Sequence, residues 1–136
     1  MALQYSVSVR NAQLDAVEST IGTAAVLKIY DLTAGAPADC SAAITATVLA
    51  SITLPSDWMA AASSGSKAKS GTWSATASGT GTADFWRLFA SDGTTCGAQG
   101  TVTATGGGGD MTLDNASIAS GQTVTVSTFS IAAGNA

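Results

Sequence analysis

The chain predicts an all-β fold, a jelly-roll-like antiparallel β-sandwich with one N-terminal α-helix. Three observations lead there. Helical periodicity occurs once, over about residues 6–21, and after Gly22 the apolar spacing changes to two. Short β-branched and aromatic runs then recur between Gly, Ser, Asp and Pro punctuation from about residue 25 to about residue 131. With no later helix to carry parallel crossovers, the strands should pair antiparallel. The length of 136 residues, undivided by a charged or proline-rich linker, makes residues 1–136 a single β-sandwich domain. An immunoglobulin-like sandwich is the alternative, suggested by Cys40 and Cys96 flanking Trp58, Trp73 and Trp86, but Cys40 sits in a loop sequence.

The helix rests on Arg10, Leu14, Val17 and Ile21, a stripe that Val7 extends, with Asn11, Asp15 and Glu18 mostly away from it. Ser6 or Ser8 supplies the N-cap and Gly22 the C-cap. The helix should cover one open end of the sheet.

Residues 25–30 form a strand with Leu27 and Ile29 on one face. Residues 48–54 form the next, with Val48, Ala50, Ile52 and Leu54 inward and Pro55 ending it. The long loop between them holds Asp31, Pro37, Asp39 and Cys40, and suits a contact element. Residues 55–62 read as one helical turn or an irregular crossover, and Ser63-Ser64-Gly65-Ser66 as a flexible stretch. Four more strands follow at residues 69–77, 84–90, 95–104 and 123–131, with Asp92-Gly93 as a hairpin turn and Ser120-Gly121-Gln122 turning the chain into the last. Gly106 to Gly109 make a flexible connection to a short strand at Met111-Thr112-Leu113.

Function is bounded first by absence. There is no histidine, so Ser-His and Cys-His nucleophile pairs and His-bound metals are excluded. Two cysteines fall short of the four ligands of a structural zinc site, and Gly109-Asp110 and Asp92-Gly93 lack the oxygen density calcium needs. The glycine run lacks the helix and lysine of a phosphate loop. Asp15 with Glu18 reads as a solvated helix face and Asp110 with Asp114 as a turn, not as acid-base pairs. The chain is therefore expected not to be an enzyme and to take no cofactor and no metal.

The net charge of −4 and sequence pI near 4.2 argue against nucleic acid and anionic membranes, and no apolar run is long enough for a membrane span. Only 10% of residues are charged, against about 25% in ordinary soluble domains, so hydroxyls, small side chains and backbone cover the exterior. Such a surface costs little to desolvate and suits close contacts in an assembly. The start, Met1-Ala2-Leu3-Gln4, carries no secretory signal, so synthesis is expected in the cytosol. Cys40 and Cys96 are then most simply thiols, with pairing left open. Trp58 and Met59, in the crossover, and Trp86, in a strand apolar on both faces, are the candidate interaction residues.

Residues 10–17 (Arg10-Asn11-Ala12-Gln13-Leu14-Asp15-Ala16-Val17), Leu27-Lys28-Ile29-Tyr30, Leu54-Pro55-Ser56-Asp57-Trp58-Met59 and Met111-Thr112-Leu113-Asp114-Asn115 together resemble head decoration, or cement, proteins of tailed bacteriophages. The similarity spans nearly the whole chain in pattern. It implies a jelly-roll protein on the outer surface of the capsid that binds the major capsid protein, bridges neighbouring capsomers and associates with itself as a dimer or a trimer. No catalytic residue or binding motif is carried over by it. A tail-fibre or baseplate module that binds a receptor or carbohydrate, with Trp58 or Trp86 as platform, is the competing expectation.

Overall fold

Ser6 starts helix α1 (Val7–Ile21) by accepting the N–H of Val9 at 3.2 Å on its hydroxyl. Gly22 ends it at φ +92°, a conformation open to glycine, and donates its N–H to Glu18 O at 2.8 Å. These are the caps the sequence predicts. The computed structural model describes residues 1–32 and 35–135. Leu14 and Ile21 are buried and Val17 packs against the core, whereas Val7 stays exposed.

Ten strands lie among the described residues: β1 (Val26–Asp31), β2 (Thr47–Thr53), β3 (Ser66–Ala68), β4 (Ser74–Thr76), β5 (Gly81–Thr82), β6 (Phe85–Phe89), β7 (Cys96–Ala104), β8 (Met111–Leu113), β9 (Ser117–Ile118) and β10 (Thr123–Ala132). Eight of them form one sheet, seven along the path β2-β1-β6-β7-β8-β10-β3 and β4 off it on β10, while β5 and β9 pair separately. The path curls. Its first edge returns toward β4, where the N–H groups of Ser78 and Gly79 donate to Leu49 O at 2.9 and 3.2 Å. The enclosed space is one apolar cluster closed by α1, which packs against β3 and β7. Aromatic rings run through it: Trp58 lies 6.1 Å from Trp73, Trp73 lies 5.6 Å from Phe129, and Trp86 meets Phe129 edge-on at 5.2 Å.

Several local expectations are corrected. In β2, Leu49 is fully buried although it breaks the alternation, because Ile29 pairs with Ala50 and Tyr30 with Val48, leaving Leu49 as the extra residue of a bulge. Of the predicted strand over 69–77 only Ser74–Thr76 pairs, as β4, after a bend at Gly71 with positive φ, while β3 (Ser66–Ala68) forms before it. Residues 55–62 form no helix. The stretch after them is a tight turn: Ser63 and Ser66 exchange N–H···O bonds of 2.8 and 2.9 Å, with Ser64 and Gly65 both at positive φ, the mirror-type geometry that matches strand twist.

The largest departure is that β7 and β8 are parallel neighbours, whereas an antiparallel sheet was expected. Parallel strands ordinarily need about a dozen residues to cross over. Here residues 105–110 suffice, because the glycine run folds straight back along β7. Gly109 donates its N–H to Thr103 Oγ1 at 3.0 Å, and Asp110 Oδ2 accepts from the N–H and Oγ1 of Thr101 at 2.9 and 3.1 Å. A Cβ at Gly107 would stand 2.7 Å from Thr103, so the expected flexible connection is a close-packed return.

Gly79 marks the closure of the curled sheet. A Cβ there would lie 2.7 Å from Val48 O and 3.3 Å from Leu49 Cα, both backbone atoms with little freedom to yield. Gly79→Ala is expected to cost about 1–3 kcal/mol as overpacking. Urea denaturation beside Ser78→Ala, at an exposed position, checks it; equal midpoints for the two variants would refute the close approach.

Candidate interaction surface

The three residues expected to form an exposed contact are all core residues. Trp58 is 0%, Met59 1% and Trp86 4% exposed. Trp58 donates Nε1–H to Gly22 O at 3.0 Å, so the C-cap of α1 sits on the indole. The N–H of Met59 donates to Glu18 Oε1 at 3.1 Å. In β6, Trp86 and Leu88 join the enclosed cluster, while Phe85, Arg87 and Phe89 are buried on the other face under other cover. A strand apolar on both sides carries no period-two signal, so its direction was not readable.

The outward side of β6 is covered in part by a strap from the loop between β1 and β2. Arg87, 4% exposed, donates Nη2–H to Asp39 O at 2.9 Å and to Gln99 Oε1 at 2.9 Å. Gln99 in turn donates Nε2–H to Pro37 O at 3.1 Å. A disulfide joins Cys40 of the strap to Cys96 of β7, with Cα atoms 5.5 Å apart, which corrects the expectation of two thiols. Beside it Lys28 lies 5.0 Å over the Phe89 ring and donates to Gly93 O at 3.1 Å. Burial among these groups pushes the Tyr30 hydroxyl pKa up. At the predicted Asp92-Gly93 hairpin, bonds from the hydroxyl and N–H of Thr95 and the N–H of Thr94 hold the Asp92 carboxyl down at about 2.

The acidic face of α1 is not merely solvated. Lys67 of β3, 4% exposed, donates to Asp15 Oδ1 at 2.8 Å and Glu18 Oε2 at 3.0 Å. Asn11 Oδ1 accepts the N–H of Gly65 at 2.9 Å. Together these bonds clamp the helix to the β3 hairpin. Burial opposes the Lys67 charge, but the bonds to Asp15 and Glu18 outweigh it and raise its pKa; the bond from Lys67 lowers that of Asp15.

Linkage gives the signs. The raised Lys67 contributes stability below its unfolded pKa near 10.4, lost as pH climbs through the folded value; the lowered Asp15 contributes above about pH 4, lost as pH falls further. Urea midpoints are expected to be flat between these limits and to decline outside them, with a smaller acid decline in Asp15→Asn. Lys67→Met should cost about 2 kcal/mol, less than the ~3–5 kcal/mol of breaking a fully buried pair, because Asp15 remains hydrated. An unchanged midpoint in Lys67→Met would show that the clamp carries no stability.

What the chain leaves exposed lies elsewhere. The large exposed hydrophobic side chains are Met1 (120%), Leu3 (70%), Tyr5 (43%), Val7 (47%) and Val9 (43%), all within one arm and the start of α1. Met1, Leu3 and Tyr5 alternate with Ala2, Gln4 and Ser6, a period-two pattern legible in the sequence. The arm is anchored: Tyr5 donates its N–H to Asn135 Oδ1 at 2.7 Å, and Asn135 Nδ2 donates to Tyr5 O at 3.0 Å. Further along α1, Ala12, Gln13, Ala16, Ser19 and Thr20 are exposed, as is Asp15, whose side chain is 56% exposed. Past them opens a groove of about 390 Å³ between Val17 and Ile21 of the helix and Cys96 and Gly97 of β7.

Among the described residues no three side chains of metal-binding type converge, and no helix is long and apolar enough to cross a membrane. No family model, no curated protein and no solved structure matches this chain.

Proposed function

We propose that this chain is an architectural protein of a tailed-phage head, a decoration protein that binds the outer surface of the major capsid lattice and bridges capsomers. The observation that carries the proposal is the apolar strip formed by the N-terminal arm and the start of α1. It holds the large exposed apolar side chains, on a body whose tryptophans are all buried. Such a surface gains by being covered, and the sequence segments that resemble phage decoration proteins name the lattice that would cover it. A curled β-sandwich is rigid enough for that role; its jelly-roll form rests on the strand pattern of the sequence.

Binding acts by mass action. A ligand that holds only the assembled, expanded shell stabilises that shell by its differential affinity, repeated over many copies. The disulfide fits an exposed position on the virion, since such bonds persist in oxidising surroundings after synthesis in the host cytoplasm. The acidic charge fits a partner that is protein, with no direct nucleic-acid or membrane contact. The competing receptor- or carbohydrate-binding module gains nothing from the structure, because its platform residues Trp58 and Trp86 are enclosed.

The test is co-sedimentation of purified protein with empty heads before and after expansion. Saturable binding to expanded heads, together with a higher head-disruption temperature, is expected. Protein that leaves expanded heads unbound but adheres to tails or cells overturns the proposal.

A further inference from the structure

We propose that the Cys40–Cys96 disulfide is a reversible latch. Its reduction lets residues 35–46 of the strap lift off the outer face of β1, β6 and β7 while the core and α1 stay folded. The latch is independent of the capsid reading above.

Strand register defines the face beneath the strap. Across β1 and β6, Tyr30 pairs with Phe85, Lys28 with Arg87 and Val26 with Phe89; across β6 and β7, Arg87 pairs with Gln99 and Phe89 with Cys96. These residues share the outward side, because the alternating residues Leu27, Ile29, Trp86 and Leu88 fill the core. The strap follows the same register along β7. Pro37 O accepts from Gln99 Nε2 at 3.1 Å, Asp39 O accepts from Arg87 Nη2 at 2.9 Å, and Cys40 is bonded to Cys96.

Cover and covered differ in burial. Tyr30, Phe85, Arg87 and Phe89 are buried, yet they stand outside the central apolar cluster. No residue from 35 to 46 is itself buried, and none belongs to that cluster. Lifting the strap therefore removes nothing from the core, and a segment with so few buried contacts opens at a fraction of the global unfolding cost.

Charge favours the open form. Lys28 and Arg87 are cations directly opposite one another, and such pairs repel. Among the described residues neither meets a carboxylate within 4.0 Å, since both ion pairs belong to Lys67. Their partners are neutral oxygens, Asp39 O and Gln99 Oε1 for Arg87 and Gly93 O for Lys28. A buried charge without a counter-charge gains by hydration, which an open strap allows. The covalent bond holds the strap against that gain; once it is cut, the bonds at Pro37 O and Asp39 O are what tie residues 35–46 to the sheet among the described residues.

Both cysteines are half-buried, and Cys96 lines the groove of about 390 Å³ beside α1, so a small thiol has a route to the bond. A thiolate of the glutathione class attacks one sulfur and displaces the other cysteine as its thiolate, and a second small thiol resolves the mixed disulfide. Two small thiols thereby give up two electrons and become one disulfide, while their two protons end on Cys40 and Cys96. Oxidised glutathione runs the exchange backward and closes the latch.

Limited proteolysis of the full chain with subtilisin, in reduced or oxidised glutathione and read by fragment mass, tests this. Reduced wild type should be cut within residues 35–46 at least tenfold faster than oxidised wild type. The near-ultraviolet circular dichroism of the buried Trp58, Trp73 and Trp86 should stay unchanged. Oxidised glutathione should restore resistance to the wild type, whereas the double variant Cys40→Ala, Cys96→Ala should be cut at the fast rate in both buffers. Equal cleavage of the two wild-type forms overturns the latch. So does cleavage across the sheet or loss of the tryptophan signal on reduction, since either means that the chain unfolds as a whole. A double variant that fails to fold, or that resists cleavage, overturns it as well.

Discussion

Trp58→Ala is expected to lower unfolding stability by about 3–5 kcal/mol, the range for deleting a fully buried large aromatic side chain. Three losses combine at this position. The indole is 0% exposed and lies tilted against Trp73 at 6.1 Å, so its removal opens a cavity in the core. Its Nε1–H is the partner of Gly22 O, and losing it leaves that carbonyl without its 3.0 Å bond at the end of α1. It also adjoins Met59, whose N–H reaches Glu18, so the helix clamp loosens with it. Urea denaturation followed by far-UV circular dichroism measures the effect without relying on tryptophan emission. Trp58→Phe should recover most of the loss and retain about 1 kcal/mol of deficit for the missing hydrogen bond. A Trp58→Ala midpoint within experimental error of wild type would contradict the core assignment and return Trp58 to the surface.

Breaking the Cys40–Cys96 disulfide is the other large effect. The two residues are 56 apart in sequence, and on the chain-entropy account closing a loop of that size stabilises by about 4 kcal/mol. Reduction releases the strap as well as the unfolded chain. Arg87 is then held only by Gln99, and its Asp39 O partner is free to leave, which exposes the buried guanidinium beside Phe85 and Phe89. Reductant should therefore lower the urea midpoint of the wild-type chain. The double variant Cys40→Ala, Cys96→Ala should start near the reduced value and ignore reductant. Hydrogen exchange in β6 should rise in step. A midpoint unmoved by reductant, with the bond verified broken by mass, would mean that the strap is held by its hydrogen bonds alone.

The parts of this molecule that were readable beforehand are those set by neighbours in the chain. The helix at residues 6–21 was found to within its N-cap, because Leu14, Val17 and Ile21 repeat at helical spacing and Gly22 ends the run. The hairpin at Asp92-Gly93, the turn at Gly121 and the strands around Leu27 and Ile52 were readable for the same reason. Interaction residues were not. Trp58, Met59 and Trp86 are large apolar side chains in irregular or two-sided segments of the sequence, and burial of such groups depends on what arrives from elsewhere in the chain. The arm pattern at Met1, Leu3 and Tyr5 was available in the sequence but reads as exposed only once the sheet is seen to complete itself without it.

Composition and local periodicity by themselves determined the β-rich class, the single helix with its caps, the lack of histidine chemistry and the low surface charge. These are properties of residue type and of spacing within a turn or a strand, so short-range sterics and solvation settle them. Tertiary structure alone decided that β7 and β8 run parallel, that Lys67 meets Asp15 and Glu18, that Cys40 bonds Cys96, and which face of β6 turns inward. Each joins residues far apart in the chain, and only the collective burial of one core selects among the many pairings that local preferences permit.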